Sequence, residues 1–92
     1  MWLVECPFFW DQGQLRPLVT ESGKVVLFCD SCSTVWCSPD DVADVDAERY
    51  TSPSGPDWET RCGDHVRPGT TRWATREDLV RVGWDRLDWQ EG

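Results

Sequence analysis

Apolar residues along this chain come in short runs broken by turn-forming residues. Residues 2–5, 15–20, 24–29 and 34–36 are rich in Val, Leu, Phe and Trp, which favour the pleated, half-buried surface of a strand. Between them lie Asp11-Gln12-Gly13-Gln14 and Glu21-Ser22-Gly23-Lys24, each offering a glycine where extended segments must reverse. The second and third runs therefore read as a hairpin closed at Gly23, and the first half of the chain as an antiparallel meander.

The pattern then changes. Ser38-Pro39-Asp40-Asp41 places a Ser at the N-cap, Pro at the first helical position and carboxylates in the first turn, so a short helix is expected from Pro39 to about Ala47. Residues 49–57 hold Pro53, Pro56, Ser52, Ser54 and Gly55 and read as a mobile loop. Pro68-Gly69 marks another turn, residues 70–73 a further strand, and residues 75–82 the clearest helix. That helix has Thr75 and Asp78 placed as a capping box, Leu79 and Val82 on one face, and Gly83 to close it. Trp84, Leu87 and Trp89 follow, able to pack back on the sheet or to stay exposed. The expectation is one α+β domain over residues 1–92: a small antiparallel sheet with one short helix and one C-terminal helix.

Five cysteines and a single histidine carry the candidate chemistry. Cys29-Asp30-Ser31-Cys32 lies between two extended segments. A redox pair gains its reactivity at a helix N-terminus, so this setting suits a zinc knuckle better. A tetrahedral site needs four ligands, and Cys62-Gly63-Asp64-His65 repeats the two-residue spacing, giving Cys29, Cys32, Cys62 and His65 as the favoured set. Cys6, followed by Pro7, competes for the same role. Here the chain resembles zinc-ribbon proteins: Cys6-Pro7-Phe8-Phe9 is similar to their first knuckle and Phe28 to Ser33 to their second, with Phe9 standing where a second cysteine belongs. The resemblance covers roughly residues 3–37; it implies a zinc-ribbon-like meander and structural zinc ligation by Cys6, Cys29 and Cys32. The competing expectation is a metal-free descendant with Phe8, Phe9 and Trp10 filling the core. A zinc here would be structural, because a catalytic site needs an open position and a positioned base.

Charge narrows the partners. Seventeen acidic against nine basic side chains give a net charge of -8, which repels phosphate backbones and attracts basic surfaces. Nucleic acid is thus disfavoured, and Arg61, Arg67, Arg72 and Arg76, interleaved with Glu59, Asp64, Glu77 and Asp78, make a poor basic face. Asp40, Asp41, Asp44, Asp46 and Glu48 form an acidic stretch that serves either as a solvated helix face or as a docking surface for a basic partner. Seven Trp exceed what one small core encloses; Trp10 and Trp36 are expected inside, Trp58 and Trp89 as interface anchors. The only conceivable nucleophilic set, Cys62, Asp64 and His65, is crowded into four consecutive residues, so an enzyme is not expected. No long apolar run suggests a membrane span, and an odd cysteine count points to a reducing cytoplasm.

In size and charge the chain resembles bacterial immunity proteins, which implies a cytoplasmic inhibitor occupying the active site of a basic toxin or enzyme. The alternative is a zinc-ribbon adaptor of transcription or translation machinery. A third reading, a small redox protein, would require a reversible Cys29–Cys32 disulfide.

Overall fold

The computed structural model describes residues 1–8, 13–42 and 46–91. Its centre is a hairpin of β1 (Leu15–Val19) and β2 (Val25–Cys29), paired in the register Leu15 with Cys29 through Val19 with Val25. The turn at residues 20–24 closes through Thr20 N–H to Lys24 O and Gly23 N–H to Thr20 O. β3 (Val35–Trp36) pairs with β2, β4 (Tyr50–Thr51) with β3, and β7 (Arg72–Trp73) with the far side of β1. The result is a five-stranded antiparallel sheet in the order β4-β3-β2-β1-β7. β5 (Trp58–Glu59) and β6 (His65–Val66) make a separate two-stranded sheet, and α1 (Arg76–Val82) is the C-terminal helix. The α+β expectation holds.

Strand alternation sends residues to two faces of the large sheet. One face carries Leu15, Val19, Val25, Leu27, Cys29 and Trp36. Two clusters gather on it, one with Cys6 and, at its margin, Leu3, Trp84 and Trp89, the other with Ala74 and Leu79. The opposite face carries Leu18, Val26 and Val35, capped by Val66 of the β5–β6 hairpin. Trp36 is fully buried, and a ring of this size, cut to Ala, would cost about 3–5 kcal/mol.

Local chemistry sets the ends of α1. Thr75 Oγ1 accepts from Asp78 N–H while the Asp78 carboxylate accepts from Thr75 N–H, the reciprocal capping box. Gly83 stops the helix with φ 79°, a left-handed conformation that a side chain disfavours. Arg72 grips Asp78 with two hydrogen bonds, of 2.7 and 3.0 Å, fastening β7 to the start of α1. That guanidinium, with the Thr75 bonds, holds the Asp78 carboxyl well below the usual carboxylate range.

A second fastening joins two turns. Buried Asp64, in the β5–β6 turn, accepts hydrogen bonds from Thr20 Oγ1 and, at 2.5 Å, from Ser22 Oγ of the β1–β2 turn. Its other oxygen accepts from His65 N–H at 3.0 Å. Burial opposes the charge, but the Ser22 and Thr20 hydroxyls, the His65 amide and nearby Lys24 outweigh it and lower the Asp64 pKa.

Two local expectations change. Of the helix expected from Pro39 to about Ala47, the described residues form a 3-10 turn at Pro39–Asp41, with Ser38 Oγ accepting from Asp40 N–H; residues 43–45 lie outside those described. The strand expected at residues 2–5 reduces to single bridges, Trp2 with Gln90 and Glu5 with Gln14. Within residues 49–57, Tyr50–Thr51 is a strand of the main sheet. Arg61 braces this region through Nη2 to Ala47 O at 2.8 Å and Nε to Tyr50 O at 3.3 Å. The core placement expected for Trp10 falls outside the described residues.

Candidate functional site

The thiols of Cys6, Cys29 and Cys32 converge, with their sulfur atoms all within 4.8 Å of one another. Three stretches of backbone bring them there. Cys6 donates its N–H to Gly13 O at 2.9 Å beside the Glu5–Gln14 bridge. Cys29 ends β2, facing the same cluster as Cys6. Cys32 sits on a tight turn in which Cys29 N–H donates to Thr34 O, and Ser33, at φ 61°, donates its N–H back to Cys29 O. This turn aims backbone donors at a sulfur: Cys32 N and Ser31 N lie 3.4 and 3.5 Å from Cys29 Sγ.

The dimensions suit a thiolate-bound metal. Tetrahedral ligands at a Zn–S distance of about 2.3 Å stand about 3.8 Å apart, and Cys6 Sγ is 3.8 Å from Cys32 Sγ. Cys6 and Cys29 are fully buried and Cys32 partly exposed. Gly13 is required for space: a Cβ there would stand 2.9 Å from Cys29 Sγ and 3.1 Å from Cys6 Cβ.

Without a cation, burial pushes the Cys29 thiol up to about 12 despite the amides of Cys32 and Ser31. Burial opposes the Cys32 thiolate as well, but the hydroxyl and amide of Thr34 outweigh it, and this thiol lies below its ordinary value. A divalent cation supplies the charge that a buried Cys29 thiolate lacks, so metal binding and proton release are linked here.

The set favoured from spacing, Cys29 and Cys32 with Cys62 and His65, is not brought together. Cys62 forms a disulfide with Cys37, Cα atoms 6.0 Å apart, and packs in the cluster on the opposite face of the sheet from Cys29. The sheet separates the two half-sites. His65, on β6, pairs with Glu59 of β5, while its neighbour Val66 turns to the core. Spacing found the local half-sites and was blind to which face each occupied; the signal that did find Cys6 was its following proline.

Among its described residues, the acidic stretch forms a 3-10 turn at Pro39–Asp41 and a turn closed by Arg49 N–H to Asp46 O. Asp40, Asp46 and Glu48 are exposed, Asp41 pairs with Arg49 at 3.2 Å, and Asp46 accepts from Glu48 N–H at 3.0 Å; Asp44 lies outside the described residues. Trp58 is half-buried beside the second-face cluster. Trp89 packs back against both clusters of the first face, its Nε1 donating to Trp84 O at 2.7 Å. That indole is already satisfied within the fold. Trp73, which sequence reasoning assigned only to a strand, is 52% exposed; it sits on an edge strand two residues long, too short for alternation to reveal.

No helix among the described residues is long and apolar enough to cross a membrane. No family model matches the chain, and neither the curated proteins nor the solved structures hold a match to it.

Proposed function

We propose that this chain is a non-enzymatic, zinc-stabilised protein-binding domain that docks on a basic protein, acting as an immunity-type inhibitor that covers the active site of a toxin or enzyme. The observation that carries this reading is the exposure of Asp40, Asp46 and Glu48 on the turns between β3 and β4, in a chain of net charge -8. Such a patch steers a basic surface into register and raises the association rate more than it adds affinity.

Zinc, held by Cys6, Cys29 and Cys32, has a structural part in this reading. It ties the segment before β1 to the end of β2, next to fully buried Trp36. Co(II) titration tests it: sulfur-to-metal charge-transfer bands that vanish in Cys6→Ser support this ligand set, and bands that survive Cys6→Ser but vanish in Cys62→Ser refute it.

The functional test begins with affinity capture of the tagged protein from its native cells. A basic enzyme recovered in near-equal amount supports inhibition, whereas polymerase or ribosomal subunits favour the adaptor reading. With the partner in hand, Asp40→Lys, Asp46→Lys and Glu48→Lys together should slow association roughly tenfold at low salt, with a smaller effect at high salt. An association rate that does not change removes the acidic turns from the mechanism.

A further inference from the structure

The chain carries sulfur in both oxidation states. Cys62, beside the second-face cluster, is bonded to Cys37, while Cys6, Cys29 and Cys32 are thiols gathered at the first face. Surroundings that join the first pair are oxidising enough to join other thiols. The three sulfurs lie within 4.8 Å of one another, and Cys6 Sγ stands 3.8 Å from Cys32 Sγ. A shift of about 0.9 Å by each of these two sulfurs would bring them to the S–S bonding distance of about 2.05 Å.

Burial gives the three different parts. Cys32 is partly exposed, whereas Cys6 and Cys29 are fully buried, so an oxidant arriving from water meets Cys32 first. Cys6 needs no access of its own to attack a sulfur already beside it. Cys29 is the poorer choice for that attack. The amides of Ser31 and Cys32 point at its sulfur from 3.5 and 3.4 Å, and a disulfide sulfur accepts such bonds less well than a thiolate.

We infer that the cluster is a redox switch responsive to peroxides, in which Cys32 is oxidised, Cys6 resolves it, and the Cys6–Cys32 disulfide gives up the metal. First the Cys32 thiolate attacks one oxygen of hydrogen peroxide: an S–O bond forms, the O–O bond breaks and hydroxide leaves. Then the Cys6 thiolate attacks the sulfur of the Cys32 sulfenic acid: the S–S bond forms, the S–O bond breaks and a second hydroxide leaves. Two electrons pass from the two thiolates to the peroxide. Cys29 is left as the one thiolate of the set, too few ligands to retain zinc. The new bond spans the interval that the cation bridges, from the segment before β1 to the turn after β2, a separation of 26 residues, so the oxidised chain keeps its fold. The inference rests on the zinc part of the reading above and adds regulation to that site.

The test uses the full chain loaded with zinc, its Cys37–Cys62 bond intact, and hydrogen peroxide as the probe. Zinc is read with a chromophoric chelator, thiols by titration after denaturation, and pairing by mass spectrometry of tryptic peptides. Cleavage at Lys24 and Arg49 puts Cys6 on residues 1–24 and both Cys29 and Cys32 on residues 25–49. A bond from Cys6 therefore joins two peptides, a Cys29–Cys32 bond stays within one, and fragment ions tell Cys32 from Cys29. Peroxide should release one zinc per chain, lower the count from three thiols to one, and link Cys6 to Cys32, with far-ultraviolet circular dichroism unchanged. In metal-free Cys6→Ser, where nothing resolves it, Cys32 should instead be labelled by dimedone or carry two added oxygens.

Zinc retained with three thiols after excess peroxide would overturn the inference, as would a Cys29–Cys32 bond. Release of zinc with Cys32 carried to the sulfinic acid in the native chain would also overturn it, because Cys6 would then not be the resolving thiol. A chain that takes up no zinc yet joins Cys6 to Cys32 would refute the zinc reading alone. A chain that holds zinc and never joins them would refute the switch alone.

Discussion

Replacing Asp64 tests whether two turns far apart in sequence are clasped by one carboxylate. In Asp64→Ala, Thr20 Oγ1 and Ser22 Oγ lose their shared acceptor and His65 N–H loses its own. Hydrogen bonds to a charged group contribute about 1.5–3 kcal/mol each. Ser22 is exposed and water replaces its bond, while Thr20 keeps an alternative acceptor in Lys24 O at 3.3 Å. The discounted cost is about 2–3 kcal/mol, and for a chain of this length each kcal/mol lowers Tm by roughly 4–8 °C.

Asp64→Asn keeps the shape and removes the charge, so it should cost about half as much and isolate the pH dependence. The folded pKa of Asp64 is depressed. Its contribution is therefore fully present above the unfolded value near 3.9 and is lost as pH falls through the folded value. The gap in unfolding free energy between the native chain and Asp64→Asn, measured by urea denaturation, should hold from pH 7 to 5 and narrow as pH falls below the unfolded value near 3.9. Asp30 and Asp78 also titrate low, but they do so in both proteins and cancel in the difference. A gap that is the same at pH 7 and pH 3, or an Asp64→Ala cost under about 0.5 kcal/mol, would show that the clasp contributes nothing.

Two further outcomes follow from the cysteines. Gly13→Ala pushes a methyl group to 2.9 Å from Cys29 Sγ and should weaken zinc at least tenfold, about 1.4 kcal/mol, in competition with a chromophoric chelator; unchanged affinity would place the metal elsewhere. Titration of denatured, chelator-treated protein should find three thiols per chain, with Cys37 and Cys62 bonded. The paired change Cys37→Ser with Cys62→Ser should cost about 3.5 kcal/mol, from the loop entropy of a separation of 25 residues. Five thiols in protein taken directly from cells would favour the reducing cytoplasm expected from the odd cysteine count, since disulfides persist in oxidising compartments.

What the sequence discloses here is governed by range. The β1–β2 hairpin, the capping box at Thr75 and Asp78 and the stop at Gly83 are written in neighbouring residues, and all three are formed. The β5–β6 hairpin escaped because each strand is two residues long, too short for a period to register. The metal cluster was half legible. Cys29 and Cys32 lie on one turn, but the choice of Cys6 over Cys62 depends on which face of the sheet each occupies, a long-range fact that spacing does not encode. The acidic stretch read as a helix because Ser38 and Pro39 are good starting signals. Among the described residues a 3-10 turn forms, at Pro39–Asp41, and by Asp46 the chain is already turning toward β4: Arg49 N–H donates to Asp46 O at 2.9 Å, and Arg61 holds Ala47 O.

The bridge between Trp2 and Gln90 joins the two ends of the described chain through reciprocal backbone hydrogen bonds of 3.0 and 2.7 Å. The path is in effect a ring. During synthesis the hairpin of β1 and β2 can form as soon as it leaves the ribosome, but Trp2 must wait for residue 90. The first-face clusters that receive Met1, Leu3, Trp84 and Trp89 are therefore the last to close. A released chain truncated before Trp84 would leave Leu15, Leu27 and Leu79 without the cover of Trp84 and Trp89.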